Sequence, residues 1–250
     1  MSYIWDAFFG LALVWVGVSY ARRSSHISTP RRAIFFTALV FSAIILVGPI
    51  PHHARHNFTS HMIQHITLMM LISPLIVLGS PFTIWRIDKT PIRYLLRAET
   101  GFCIFLVVLI ATHFGPLANA GMTNIHIHSL ELILFLIGGV IYYYPVMEGN
   151  PHPYFVPYSH RVISLFAMML PETMTGFFLY AGNRLVHDLP SGVGFSQGLH
   201  DQHTGGGIMW AMGMVIDTLW IVLAARDWFS DEQRQAQLED EENAANAEQL

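Results

Sequence analysis

Apolar stretches long enough to cross a lipid bilayer recur from one end of this 250-residue chain to the other. A helix rises about 1.5 Å per residue, so a hydrocarbon core of about 30 Å takes about 20 residues to span. The stretches 3–21, 33–50, 61–79, 101–118, 126–146, 161–181 and 204–224 meet or approach that length, and short polar or Pro/Gly-rich connectors separate them. Only 12% of the residues are charged, against roughly 25% in a soluble domain. The expected fold is an all-α integral membrane protein, a bundle of about seven transmembrane helices over residues 1–228. An acidic tail over 229–250, with Asp231, Glu232, Glu239, Asp240, Glu241, Glu242 and Glu248, follows it. The tail has few large apolar residues to offset its ordering entropy, so it is expected to lack fixed structure.

The basic residues set the expected orientation. Arg22, Arg23, Arg31 and Arg32 follow the first span, Arg86, Lys89, Arg93 and Arg97 the third, and Arg226 and Arg234 the seventh, while Arg161 opens the sixth from the same side. Only Arg55 and Arg184 fall on the opposite side. Positive charge is retained in the cytoplasm, which places the N-terminus outside and the C-terminus inside. The first stretch has no basic residues ahead of it and carries Asp6, so it reads as a retained helix rather than a cleaved leader. The basic residues form no stripe suited to nucleic acid. Cys103 is the single cysteine, which excludes an internal disulfide and any CxxC metal site.

The histidines are sided as well. His26, His152 and His160 fall at the inner end, whereas His52, His53, His56, His61, His65, His113, His126, His128, His187, His200 and His203 fall at or near the outer end. Loops collect polar residues, which accounts for the loop histidines better than for those at helix mouths. In His61-Met62-Ile63-Gln64-His65, the two imidazoles are four residues apart and share a helix face, with Met69 one turn further on. Such a pair can bind a metal ion, although HxxxH also occurs as plain packing. Candidates at similar depth are His113, His128 with Glu131 three residues on, and Asp201 and His203 ahead of the seventh span. A carboxylate within a membrane costs about 2.5–3.5 kcal/mol on insertion scales, so Glu131 and Glu172 need a partner, a proton or a watery cavity. Asp217 lies nearer the cytoplasmic end. Imidazole suits copper and zinc, and thioether selects Cu(I), so copper is the ion expected to be bound. The prolines at 74 and 171 free the carbonyls of Met70 and Ala167, and kinks are expected there, with the stretch from Pro171 to Gly176 the most irregular.

Three stretches carry a family resemblance. The His61–His65 motif runs into the apolar, Pro74-containing stretch that ends at Gly79. His128-Ser129-Leu130-Glu131 precedes Phe135 and Tyr144-Pro145. His200-Asp201-Gln202-His203 leads to Gly206-Gly207-Ile208-Met209-Trp210. Together they resemble the multi-pass CtaG-type assembly factors of caa3-type cytochrome c oxidase over roughly residues 40–228. The resemblance implies a non-enzymatic bacterial plasma-membrane protein that delivers copper to the catalytic subunit of a haem–copper oxidase, alongside other assembly factors. The chain departs from the family pattern at Leu132, where a histidine is frequent, and at His203, where a glutamine is usual. Either a ligand has moved from the fifth span to the seventh, or the fifth-span histidine is dispensable. The expected ligand set is His61, His65, His128, His203, Asp201, His113, Met69 and Glu131. Alternatives are a membrane copper transporter, with Glu172 and Asp217 marking its path, and a di-iron membrane oxygenase, which needs more converging histidines. A b-type haem protein needs histidine pairs near helix middles, and these cluster at helix mouths.

Overall fold

The computed structural model describes residues 2–86, 91–147, 154, 156–189 and 192–247. Lys89, His152 and Glu248 lie outside them. The described residues contain no strand. Helix α1 spans Ser2–Arg23 and α2 Thr29–Leu46, and the two pack as a pair. The short α3 (Pro49–Ala54) leads into α4 (Phe58–Ile66). A π-helical turn, Thr67–Ile72, joins α4 to α5 (Ser73–Leu78), and the three together form one span. After α6 (Pro81–Trp85) and a 3₁₀ turn (Pro91–Leu96) come α7 (Ala98–His113) and α8 (Pro116–Thr123). The bundle closes with α9 (Ile125–Val146), α10 (Tyr158–Ala181) and α11 (Phe195–Ala247).

Six helices are long and apolar enough to cross a membrane, and α7 with α8, bent by 67°, makes a seventh if counted as one broken span. The bend falls at Gly115, whose φ of +84° is left-handed and suits a residue without a side chain. It folds α8 back across the start of α9. The α4–π–α5 span is the most enclosed, held between α11, α9 and α2, while α1 lies at the rim with most of its apolar side chains exposed. In a bilayer those side chains face lipid, which needs no protein partner.

The π turn follows from Pro74. Proline has no N–H to donate to the carbonyl four residues back, and its ring crowds that carbonyl. The chain widens here, so that the Ser73 amide reaches the Leu68 carbonyl and the Ser73 hydroxyl bonds the same oxygen at 2.8 Å. The freed Met70 carbonyl accepts from the indole N–H of Trp220 on α11, at 2.8 Å. The span expected to kink at Pro74 is thus widened by one π turn, and its loose carbonyl is satisfied by another helix, as a water-free interior requires. Pro171 produces no such break, and α10 stays helical from Tyr158 to Ala181.

Helices α10 and α11 approach closely over glycines. A Cβ on Gly176 would sit 2.6 Å from the Trp210 amide nitrogen, and one on Gly206 2.5 Å from that of Tyr180. Small residues at such a crossing let the two backbones touch, a common device where no hydrophobic effect drives association. Past the bundle, α11 does not dissolve into the structureless tail that its acidity suggested. It continues as helix to Ala247, and Trp228 to Glu232, Gln235 to Asp231 and Arg234 to Asp231 bond along its surface. Those contacts are three or four residues apart, and Glu, Gln and Ala are good helix formers, so the local pattern outweighs the composition.

Candidate metal centre

The start of α4 is fixed before its histidines are placed. Asn57 caps the helix, accepting from the Ser60 amide at 2.8 Å. Asp201, on α11, supplies a second acceptor, a carboxylate, at the same helix end. It accepts from the amides of Phe58 (2.7 Å) and Thr59 (3.1 Å), the Thr59 hydroxyl (2.6 Å) and the Asn57 side chain (3.1 Å). A negative group among the unpaired amides of a first turn is stabilising, so α11 holds α4 in place by its N-terminus. Gln202, fully buried beside it, binds the Val186 amide and the carbonyls of Leu179 and Arg184, and so ties the α10–α11 connector to α11.

From that anchored end His61 and His65 project one turn apart into the bundle, their ring centroids 3.9 Å from each other. His128, on the first turns of α9, brings its ring within 5.1 Å of His61, and His113, the last residue of α7, within 5.4 Å of His65. Glu131 comes in one turn below His128, with its Oε2 3.9 Å from His61 Nε2. One donor atom each from His61, His65 and Glu131 lies within 4.8 Å of the other two. Phe135 closes the inner side, its ring 3.9 Å from that of His65. Gly121 of α8 lies over the carboxylate, and a Cβ there would overlap the Glu131 oxygens. The bend at Gly115 therefore serves the cluster, because it lays a side-chain-free patch of α8 on Glu131.

All five groups are buried, Glu131 completely. Nδ1 of His61, both nitrogens of His65 and His128, Nε2 of His113 and both oxygens of Glu131 have no hydrogen-bond partner among the described residues. Buried polar groups are nearly always paired, and each that is not costs about 1–3 kcal/mol. So many together on converging side chains form a donor set able to hold a cation. One of the imidazoles is already oriented. His113 Nδ1 donates to the Leu109 carbonyl at 2.7 Å, which fixes the ring and leaves the Nε2 lone pair free.

The other expected ligands are placed differently. Asp201 is committed to the α4 N-terminus. His203 donates from Nε2 to the Gly182 carbonyl at 2.7 Å and lies against Tyr180, on the α10 side of α11, so it does not join the cluster. The substitution pattern that suggested a ligand moved to α11 therefore has no counterpart in the geometry, and Leu132 is packed in the apolar core. Met69 lies one level deeper than the imidazoles. It lines a small cavity with His65, Met70, His113, Glu172 and Met209. Glu172 is hydrogen-bonded to Asp217 of α11, so the two inner carboxyls partner each other. Asp201, Gln202 and Gly121 as positioning residues were not readable in advance. The spacing of Asp201 from the α11 span said only that it lay at a helix mouth.

The bundle and the cluster define a class: a multi-pass helical membrane protein that gathers histidines and a glutamate from α4, α7 and α9 into one buried cluster near an end of the bundle. Within that class, the chain belongs to the cytochrome c oxidase caa3 assembly factor family, whose model matches residues 12–231. Among curated proteins it is similar to uncharacterised proteins of Mycobacterium bovis and Mycobacterium tuberculosis, each 26% identical over 273 residues, and to one of Mycobacterium leprae at 24%. Each alignment covers 94% of this chain and 40% of the relative, so the chain spans about two-fifths of their length. No solved structure matches.

Proposed function

We propose that this protein binds a copper ion at His61, His65 and Glu131, with His113 and His128 completing or exchanging the coordination, and hands it to the catalytic subunit of a haem–copper oxidase. The observation that carries the reading is the set of unpartnered donor atoms on those five side chains. Imidazole nitrogens with one carboxylate suit copper, zinc or iron, and membership of the oxidase assembly family favours copper among them. A metal bound at about 2 Å from each donor needs the donors closer together than they now stand, which small side-chain rotations supply. Two features suit a carrier rather than a permanent holder: more donors than one ion needs, and few second partners fixing them. The protein itself then catalyses no reaction. The site would face the extracytoplasmic side of the plasma membrane, following the distribution of Arg and Lys.

The experiment is replacement of the gene in a host that depends on its caa3-type oxidase. The His61→Ala/His65→Ala variant is expected to leave the oxidase subunits in the membrane but short of copper and inactive, with recovery on copper supplementation. Fully active, copper-replete oxidase in that strain would contradict the reading. A second reading, inward copper transport, draws on the donor-bearing side chains His65, Met69, Met209 and Glu172 that line one small cavity below the cluster. Copper accumulation in sealed vesicles containing the purified protein would favour it over hand-over at the surface.

A further inference from the structure

His187 belongs to none of the groups described so far. It sits in the α10–α11 connector and is only 7% exposed. Its Nδ1 lies 2.9 Å from the Asp188 carbonyl, an acceptor, so Nδ1 carries a hydrogen and in the neutral ring the lone pair is on Nε2. Nε2 is buried and has no hydrogen-bond partner among the described residues. The ring stacks on Phe58 with centroids 5.0 Å apart and planes 12° from parallel. Phe58 in turn neighbours His61, at 6.4 Å between centroids. One aromatic ring is thus the common neighbour of the buried connector histidine and of the first histidine of the cluster.

His187 also lines a cavity of about 380 Å³ at the mouth of the bundle. His56, His200, Gln197, Asp201 and Thr204 are among the other residues around it. This cavity carries several polar side chains on a mixed wall and is far larger than the space beside the cluster. It is where a hydrated or carrier-bound ion fits, whereas the cluster itself is closed.

We propose that His187 is a transient ligand that takes the copper ion from this vestibule and passes it to His61, with the Phe58 ring as the gate between them. The proposal rests on the cluster being a copper site, and adds the route by which the ion reaches it. The step is a ligand exchange: a bond from copper to its carrier breaks as the bond to His187 Nε2 forms, and that bond breaks as His61 binds. Nothing is oxidised or reduced. A neutral imidazole donates its lone pair without losing a proton, so no base is required. A ring held at Nδ1, with no hydrogen-bond partner on its Nε2 among the described residues, can release an ion as well as accept it.

The test is the rate of copper loading of the purified full-length protein, with Cu(I) supplied as its coloured bicinchoninate complex and the colour loss followed in time. His187→Ala and His187→Gln are expected to load severalfold more slowly than wild type yet reach the same final copper per chain. Phe58→Leu, which opens the gate, is expected to load faster. Loading of both His187 variants at the wild-type rate would overturn the relay and leave the cluster untouched. A lower final copper content in His187→Gln would also overturn it, because His187 would then be a permanent ligand. Absence of uptake by the wild type would overturn the copper site and the relay together, and His61→Ala/His65→Ala, expected to lose final stoichiometry, tests that underlying reading separately.

Discussion

Asp201 shows how much of this site is built by residues that do not touch it. Its carboxylate collects amide, hydroxyl and side-chain donors from Asn57, Phe58 and Thr59, and in doing so sets where α4 begins and where His61 and His65 point. Removing it leaves those donors without their acceptor. Asp201→Ala is expected to destabilise the purified protein by about 0.5–2 kcal/mol, the range for a lost helix-capping acceptor. The measurement is thermal or denaturant unfolding in detergent, and unchanged stability would contradict the capping role. Residue by residue, legibility was uneven. The pairing of His61 with His65 followed from a helical period within one segment, and the convergence of His128, Glu131 and His113 followed from their depth. His203 and Asp201 have the same depth and the same chemistry but different duties. What separates them is the rotation of α11 about its axis, which is set by packing against α10 and α4 and leaves no trace in local spacing.

At the scale of the element, the α4–π–α5 span carries the most information. A proline in mid-span could be read from the sequence, and so could the need of the Met70 carbonyl for a new partner. That the partner would be Trp220, 150 residues away, could not. The π turn places His65 and Met69 on opposite sides of the boundary between regular and widened helix, and local widening of this kind is frequent at functional sites. Trp220→Phe keeps the ring and removes the donor. It is expected to cost about 1–3 kcal/mol, since the Met70 carbonyl is then unpaired in a dry interior. The drop should appear in unfolding of the solubilised protein, with copper affinity less affected than stability. A variant as stable as wild type would mean that the widened turn needs no support from α11. The acidic extension of α11 is the converse case. Composition alone argued for disorder, while the described extension is helix beyond the bundle, with one ion pair, Arg234–Asp231, and two hydrogen bonds at helical spacing along its first turns.

For the whole molecule, the run of apolar stretches gave the number of spans, and the one irregularity, the bend between α7 and α8, is what a glycine and a proline at 115 and 116 produce. Trp5 and Asp6 of α1 contact His126 and His52, so the N-terminus and the histidine cluster share an end of the bundle. The basic residues concentrate at the other end. With Cys103 replaced by serine, single cysteines placed at positions 3 and 245 should label from opposite sides of the membrane. Position 3 is expected to react with an impermeant reagent in intact cells and position 245 only after lysis. The reverse pattern would put the cluster on the cytoplasmic side and remove hand-over at the outer surface.

The claim on which the rest depends is that the donors of α4, α7 and α9 hold one ion, and the amount of copper retained per chain measures it. Wild-type protein, His61→Ala/His65→Ala and His203→Ala would be purified, loaded with copper, freed of excess and assayed by elemental analysis. Wild type and His203→Ala should retain equal copper and the double variant should lose it. Equal copper in all three, or loss in His203→Ala with retention in the double variant, would contradict the assignment of the site.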